Sequence, residues 1–330
     1  MSKILVVGVG SIGRRHIDNF KDYFNQIDIV DTRQDRIEQS IKQFKINKSF
    51  SDYKIAIKNE SYDAVIITTP PHLHLEIAKK AVEFNNNIFI EKPLGVSAIG
   101  WEEIAIECKK KQLINYVAYC HRHIPYTNKL IEFLDPEQIG RVVNVIIRWG
   151  SYLPNWHPWE DYRTFYMAKK EQGGGALLDE SHGLDLVRYL FGEIEEVFAI
   201  VDKISDLEIT SDDSAFLTLR TKKNALIQIS FDLNSRDTSV SMEIIGTLGN
   251  LIWDRDKHFV KFFDIKENKW NIFKYKKEDF LSMYPNQAKH FYECITNKTK
   301  TLIDIDDAIK TQKIIDLAFE SNKQRKLLKL

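Results

Sequence analysis

Cysteine is scarce in this 330-residue chain: Cys108, Cys120 and Cys294 are odd in number and show no paired spacing. That excludes a disulfide framework and a cysteine zinc cluster, and it points to a cytoplasmic protein. An excess of either charge is also missing. Lysine plus arginine and aspartate plus glutamate number 47 each, and the basic residues are spread rather than blocked, so nothing calls for nucleic acid and a small partner is expected. The basic ending Lys323-Gln324-Arg325-Lys326 is what a helix C-terminus favours. No apolar run is long enough for a membrane helix, and the chain enters a strand pattern directly without a charged and apolar leader, so neither membrane insertion nor export is expected.

The chain is long for a single core, and its patterning changes once. Ile4-Leu5-Val6-Val7 is a continuous apolar run of the kind found in a parallel strand covered on both faces. Similar runs at 27–30, 64–67, 87–90 and 115–118 alternate with helical patterns near 34–44, 74–85 and 98–112, which is repeated β-α alternation. After about residue 122 comes a helix near 126–134 and a strand at 142–148. An aromatic loop, a glycine triplet and a helix from about 179 follow. Strand patterns near 194–201, 214–220, 225–233, 239–245, 250–253, 259–264 and 270–274 then run with short polar connections, as in an antiparallel sheet, and Gly246-Thr247-Leu248-Gly249-Asn250 reads as a hairpin connection. Helical patterns near 285–297 and 305–327 close the chain. The expected fold is therefore α/β: a dinucleotide-binding domain over 1–122, a substrate domain over 123–304, and a C-terminal helix over 305–330 that packs back on the first domain.

Gly8-Val9-Gly10-Ser11-Ile12-Gly13 lies between a buried strand pattern and a helix. Its spacing lets the backbone turn tightly, approach a pyrophosphate and pack a helix on its strand. Asp31 ends the next strand, where a carboxylate binds the ribose hydroxyls of NAD; Arg33 is placed to pair with the additional phosphate of NADP, so NAD is favoured and NADP stays open. Thr69, Pro70 and His74 follow a later strand on the ligand-binding edge. His74 serves either a helix N-terminus or a cofactor.

Glu91-Lys92-Pro93 places an amine at the carboxyl end of another parallel strand, beside the expected nicotinamide, with an extended backbone before the proline, and Glu91 and Lys92 are both expected among the cofactor-binding residues. Asp179, His182 and Asp185 are spaced by three, so on one helix His182 would sit between two carboxylates and exchange a proton with a substrate oxygen. Asp179 would bind substrate hydroxyls or join the relay, and Asp185 would fix the imidazole tautomer. Arg122 is a candidate for an anionic substrate group. Trp156, His157, Trp159 and Arg163, in an aromatic loop held by prolines, suit a sugar ring, or else a buried plug or subunit contact. His121 and His123 lack a third ligand at metal-site spacing, so no metal is assigned.

The glycine motif, Thr69-Pro70-Pro71 with His74, Glu91-Lys92-Pro93, and the glycine triplet followed by Asp179, His182 and Asp185 together resemble the Gfo/Idh/MocA oxidoreductases, over nearly the whole chain. That resemblance implies an N-terminal Rossmann domain and a C-terminal α/β domain with a large open, mostly antiparallel sheet, whose outer face supports homodimers or homotetramers. It also implies a reaction centre containing Lys92 and His182. Many members carry one more residue between the equivalents of Asp179 and His182; the shorter spacing and the loop at 153–163 are similar to members associated with bacterial surface-sugar genes. Hydride transfer between nicotinamide and a carbon of a sugar, sugar acid or nucleotide-activated sugar is the expected activity. The alternatives are an NAD-retaining glycosidase or lyase that oxidises transiently, and a dinucleotide sensor without catalysis.

Overall fold

The computed structural model describes residues 2–330 and divides into two compact units. One runs to Cys120 and includes Tyr284–Gln312; the other comprises His121–Met283 and Lys313–Leu330.

In the first unit, strands β1 (Lys3–Val7), β2 (Gln26–Val30), β3 (Lys48–Phe50), β4 (Ala64–Ile67), β5 (Asn87–Ile90) and β6 (Asn115–Val117) form one parallel sheet in the order β3-β2-β1-β4-β5-β6. Helices α1 (Ser11–Phe20), α2 (Gln34–Gln43), α3 (Tyr53–Asn59), α4 (His74–Glu83) and α5 (Trp101–Lys111) connect the strands. Beyond Lys3 the central strands β1 and β4 are apolar at every position because helices cover both faces; all four residues of β4 are fully buried. The order reverses between β1 and β4, the crevice where such sheets bind ligands.

The second unit holds helices α6 (Pro125–Phe133), α7 (Ala176–Asp179), α8 (His182–Phe191) and α9 (Lys277–Leu281). Its strands are β7 (Val142–Tyr152), β8 (Ile194–Asp202), β9 (Ser214–Thr221), β10 (Leu226–Asp232), β11 (Asn234–Gly246), β12 (Gly249–Asp254), β13 (Phe259–Asp264), β14 (Lys269–Lys274) and β15 (Leu328–Lys329). They build a sheet in the order β14-β13-β12-β11-β7-β10-β9-β8-β15, antiparallel except for the pair β7 and β10. Burial alternates along these strands, so one face carries Val145, Ile147, Leu217, Ile227 and Ile229 inward and the other stays open. The hairpin at Gly246 to Asn250 forms as expected, with Ile245 opposite Asn250.

Several expectations change. Helix α10 (Met283–Asn297) sits almost wholly in the first unit: Phe291 stacks its ring edge against Phe20 and Phe89, and Ala288 joins the same core. Helix α11 (Ile305–Gln324) is shared, with Ile305, Ala308 and Ile309 in the core of the first unit. Its later residues hydrogen-bond β8 of the second, where Ala199 and Val201 donate backbone N–H groups to Ser321 Oγ and Asn322 Oδ1. The single helix expected from 179 is broken in two: Ser181 and Gly183 donate three residues back, to Leu178 and Glu180, tightening the chain between α7 and α8. The periodicity also gives no element over 45–63, where β3 and α3 lie; three-residue β3 is too short to show alternation.

Candidate active site

The glycine loop is built by backbone contact. Gly8 adopts φ +92°, and a Cβ there would lie 2.9 Å from the Thr68 carbonyl oxygen; a Cβ on Gly13 would lie 2.0 Å from the Gly8 oxygen. Thr68 ties the loops after β1 and β4 together by donating its hydroxyl to the Gly8 carbonyl at 2.6 Å. A Cβ on Gly10, by contrast, would meet only the Arg36 guanidinium, at 3.6 Å. No side chain caps the N-terminus of α1 and no acidic residue sits in its first turn, so its amides are disposed for an anion. Ser11 and Ile12 begin that helix.

Asp31 is buried at the end of β2, accepting from the Val9 and Arg33 backbone N–H groups at 2.9 Å each. Arg33 turns its guanidinium to Asp35, at 3.1 and 2.6 Å. A different arginine, Arg36, approaches the Asp31 carboxylate at 4.0 Å and the glycine loop at Gly10. It lies one helical turn beyond Arg33, and the spacing rule for the acidic residue does not mark it. The buried Thr69 hydroxyl has no partner among the described residues, on the edge where a ligand is expected. The open cradle at Gly10, the uncapped helix, the carboxylate at Asp31 and this orphaned hydroxyl all fit a dinucleotide.

His74 is fully buried at the start of α4. Its Nε2 lies 2.8 Å from the Thr69 carbonyl, and its Nδ1 lies 3.1 and 3.3 Å from the carbonyls of Pro93 and Leu94. Burial pushes its pKa down, against the pull of those carbonyls. It braces two loops of the carboxyl edge, and Pro70 precedes the short turn that leads to it.

Lys92 follows β5, and its bond to Pro93 is cis. Glu91 is buried; one carboxylate oxygen accepts from His16 Nε2 at 2.6 Å and the other from the Lys92 backbone N–H at 3.0 Å. Burial alone would raise the Glu91 carboxyl, but the His16 hydrogen bond and the Lys92 charge and N–H hold it below the ordinary carboxylate range. Tyr284, at the start of α10, lies in the same neighbourhood: Arg15 stacks over its ring at 4.5 Å, and burial pushes its phenol up. His16 and Tyr284 escape motif reading. His16 shows only as a polar residue on the buried stripe Gly13, His16, Ile17, Phe20, and Tyr284 lies almost 200 residues from the strand edge it joins.

In the second unit His182 opens α8, its ring 4.7 Å from that of His121, which in turn lies 5.1 Å from Trp149. Asp185, one turn on, is fully buried and receives both arms of the buried Arg122 guanidinium at 2.9 and 2.5 Å, while Tyr189 stacks over Arg122 at 4.8 Å. Asp179, in α7, accepts from the Tyr166 hydroxyl at 2.6 Å. The loop before α7 is shaped by Asp212: Gly175 has φ +120°, a Cβ there would fall 2.2 Å from Asp212 Oδ1, and Leu177 N donates to Asp212 Oδ2 at 3.0 Å. Burial raises the Asp212 carboxyl to about 6.

The aromatic loop divides. Trp156 donates its indole N–H to Ser151 at 3.0 Å, and Ser151 reaches Glu180 at 3.4 Å, so this ring is anchored next to the turn between α7 and α8. His157 packs between Trp159 and Phe165, whereas Trp159 itself is 74% exposed. Arg163 is held at the surface by Asp161 and Glu208, at 2.8 and 2.6 Å.

Comparison with known proteins agrees with this architecture. Residues 2–119 match the NAD-binding Rossmann fold of the Gfo/Idh/MocA oxidoreductase family, and residues 131–330 match its C-terminal alpha/beta domain. The chain belongs to this family of NAD-binding oxidoreductases. It is 29% identical over 263 residues to myo-inositol 2-dehydrogenase of Thermotoga maritima, covering 76% of this chain and 75% of that protein. It is 26% identical to the NAD-dependent scyllo-inositol 2-dehydrogenase of Bacillus subtilis, covering 93% and 90%. Among solved structures, levoglucosan dehydrogenase in complex with NADH and levoglucosan superposes with a TM-score of 0.88 at 19% identity, over 99% of both chains. The WlbA dehydrogenase of Bordetella pertussis with NADH and UDP-GlcNAcA gives 0.85 at 18% identity, over 100% and 97%. At these identities the superpositions establish the shared fold.

Proposed function

We propose that this chain is a dehydrogenase or reductase that moves a hydride between NAD and a CH–OH carbon of a sugar, sugar acid or nucleotide-activated sugar. Lys92 and His182 serve the reacting oxygen. The observation that carries the proposal is the placement of Lys92: it follows β5 on the carboxyl edge of an NAD-binding sheet, with its backbone held by a buried carboxylate. Nicotinamide, when bound, accepts a hydride from a carbinol carbon or returns it to a carbonyl.

His182 takes the hydroxyl proton as the carbon is oxidised and returns it in reduction. The Lys92 ammonium favours negative charge on the same oxygen. Asp179, fixed by Tyr166, accepts a hydrogen bond from a neighbouring substrate hydroxyl, and Arg122 with Asp185 holds the helix that carries His182. Trp156 and His157 offer faces to the sugar ring, while Trp159 and Arg163 meet the outer part of a larger substrate. In the cofactor unit, Gly8, Gly10, Ser11, Ile12 and Gly13 hold the pyrophosphate and Asp31 the ribose. Thr69 and Pro70 lie beside the nicotinamide half, and Arg33 and Arg36 lie beside the adenosine.

The substrate class is supported by the relatives, whose names include inositol and levoglucosan dehydrogenases. A second reading keeps NAD bound through transient oxidation with no net redox; it is supported by a 24% identical relative, the 2,7-anhydro-N-acetylneuraminate hydratase of Escherichia coli. The open face of the large sheet exposes Ile146, Ile200, Phe216 and Leu226, and a second copy of the chain is the proposed cover, as a homodimer or homotetramer. The three free, buried thiols suit a reducing cytoplasm. No helix among the described residues is long and apolar enough to cross a membrane.

Nicotinamide absorbance provides the test, on mixing the protein and NAD or NADH with inositols, sugars, sugar acids, nucleotide-linked sugars and their keto forms. A change with one class establishes the dehydrogenase and names its substrate. Cofactor binding with silence across the panel, and consumption of an anhydro-sugar or glycoside, establishes the second reading instead.

A further inference from the structure

The buried histidine of the glycine-loop helix has no part in hydride chemistry, yet its ring is built into the carboxyl edge of the sheet. His16 is fully buried, stacked on Phe20 at 6.0 Å and edge-on to Phe89 at 4.9 Å, two residues before Glu91. Its Nε2 donates to Glu91 at 2.6 Å, while Nδ1 has no partner among the described residues. Glu91 uses its other oxygen to accept the Lys92 N–H at 3.0 Å. A buried carboxylate stays in place only while its oxygens are satisfied, so α1, Glu91 and the Lys92 backbone form one chain of contacts. On the far side of Lys92 a second buried histidine, His74, reaches the Pro93 and Leu94 carbonyls.

We propose that His16 is a positioning residue for Lys92, acting through Glu91, which serves as a lock on the Lys92 backbone. One Glu91 oxygen faces His16 and the other takes the Lys92 N–H, so the single carboxylate couples the histidine to the backbone of the lysine. The inference rests on the proposed role of Lys92 in the reaction.

Amide hydrogen exchange at Lys92 in the cofactor-free protein tests it, together with NADH affinity. His16→Phe keeps an aromatic ring but removes the donor, and should speed exchange at Lys92 by about tenfold or more, as expected for a lost hydrogen bond to a charged group. Exchange at Ile88 to Ile90 should stay unchanged. His16→Gln, whose amide reaches the position of Nε2, should restore exchange to within about threefold of the parent, and both variants should bind NADH within about threefold of it. A merely structural histidine would produce no such local rescue. Unchanged exchange in a folded His16→Phe protein overturns the proposal, as does failure of His16→Gln to rescue. Weakening of NADH by tenfold or more with exchange unchanged would return Glu91 to cofactor binding. Should His16→Phe not fold, Glu91→Gln is the second variant, with the same local rise expected at Lys92. A fully active Lys92→Met with the exchange results intact would retract the reaction role alone and leave the lock standing.

Discussion

The candidate residues of the two units are held in place differently. The cofactor side is made of backbone: glycines packed against carbonyls, an uncapped helix N-terminus, and strand ends fixed by the buried side chains Asp31, His74 and Glu91. The candidate substrate residues of the second unit are side chains that hold one another: Arg122 on Asp185, Tyr166 on Asp179, Trp156 on Ser151 and Ser151 on Glu180. A backbone site recognises what every dinucleotide shares, whereas a side-chain network is altered by single substitutions.

Substitutions on the two sides should therefore separate cofactor affinity from turnover. The largest effect is expected for His182→Ala: loss of proton transfer lowers kcat by about 10²- to 10⁴-fold while NADH still binds, and normal turnover would remove His182 from the chemistry. Next comes Asp185→Asn, which leaves the Arg122 guanidinium buried against a neutral amide. A loss of about 3–5 kcal/mol is expected in denaturant unfolding, with NADH affinity unchanged in the folded fraction. Asp31→Ala should weaken NADH by about tenfold and NADPH much less, leaving kcat at saturating cofactor intact; an unchanged ratio would refute the ribose assignment.

The smallest expected effect is pH-dependent. Burial holds Asp212 at about 6 in the folded chain against an ordinary value near 3.8, so the folded state binds its proton more tightly than the unfolded one. The resulting stabilisation is fully present below the ordinary value and is lost as pH rises through about 6. The Tm of the parent should thus fall relative to Asp212→Asn between these values, and parallel profiles would contradict the assignment.

Legibility followed the same division. Gly8, Gly10, Gly13 and Asp31 stand at fixed spacings because one short turn dictates them, and continuous apolar runs reveal parallel strands buried on both faces. The strand patterns at 214–220 and 225–233, joined by a short polar connection, likewise show an antiparallel pair. Pairings across long separations are invisible to such rules. Nothing local joins Arg122 to Asp185 or His16 to Glu91, and nothing in the spacing marks Arg36, which approaches Asp31 while Arg33 turns away to Asp35. The break between α7 and α8 is also unmarked, since Glu180 and Ser181 are ordinary residues whose turn is set by contacts such as Ser151 with Glu180.

Hydride transfer itself is best tested with NADH carrying deuterium at the reactive nicotinamide carbon, mixed with keto forms of inositols, sugar acids and nucleotide-linked sugars, and with the products weighed by mass spectrometry. The account predicts one product class that gains a single deuterium with the parent protein and none with His182→Ala. A sugar converted by the parent protein without gaining deuterium, while the labelled cofactor is recovered unchanged, would contradict it.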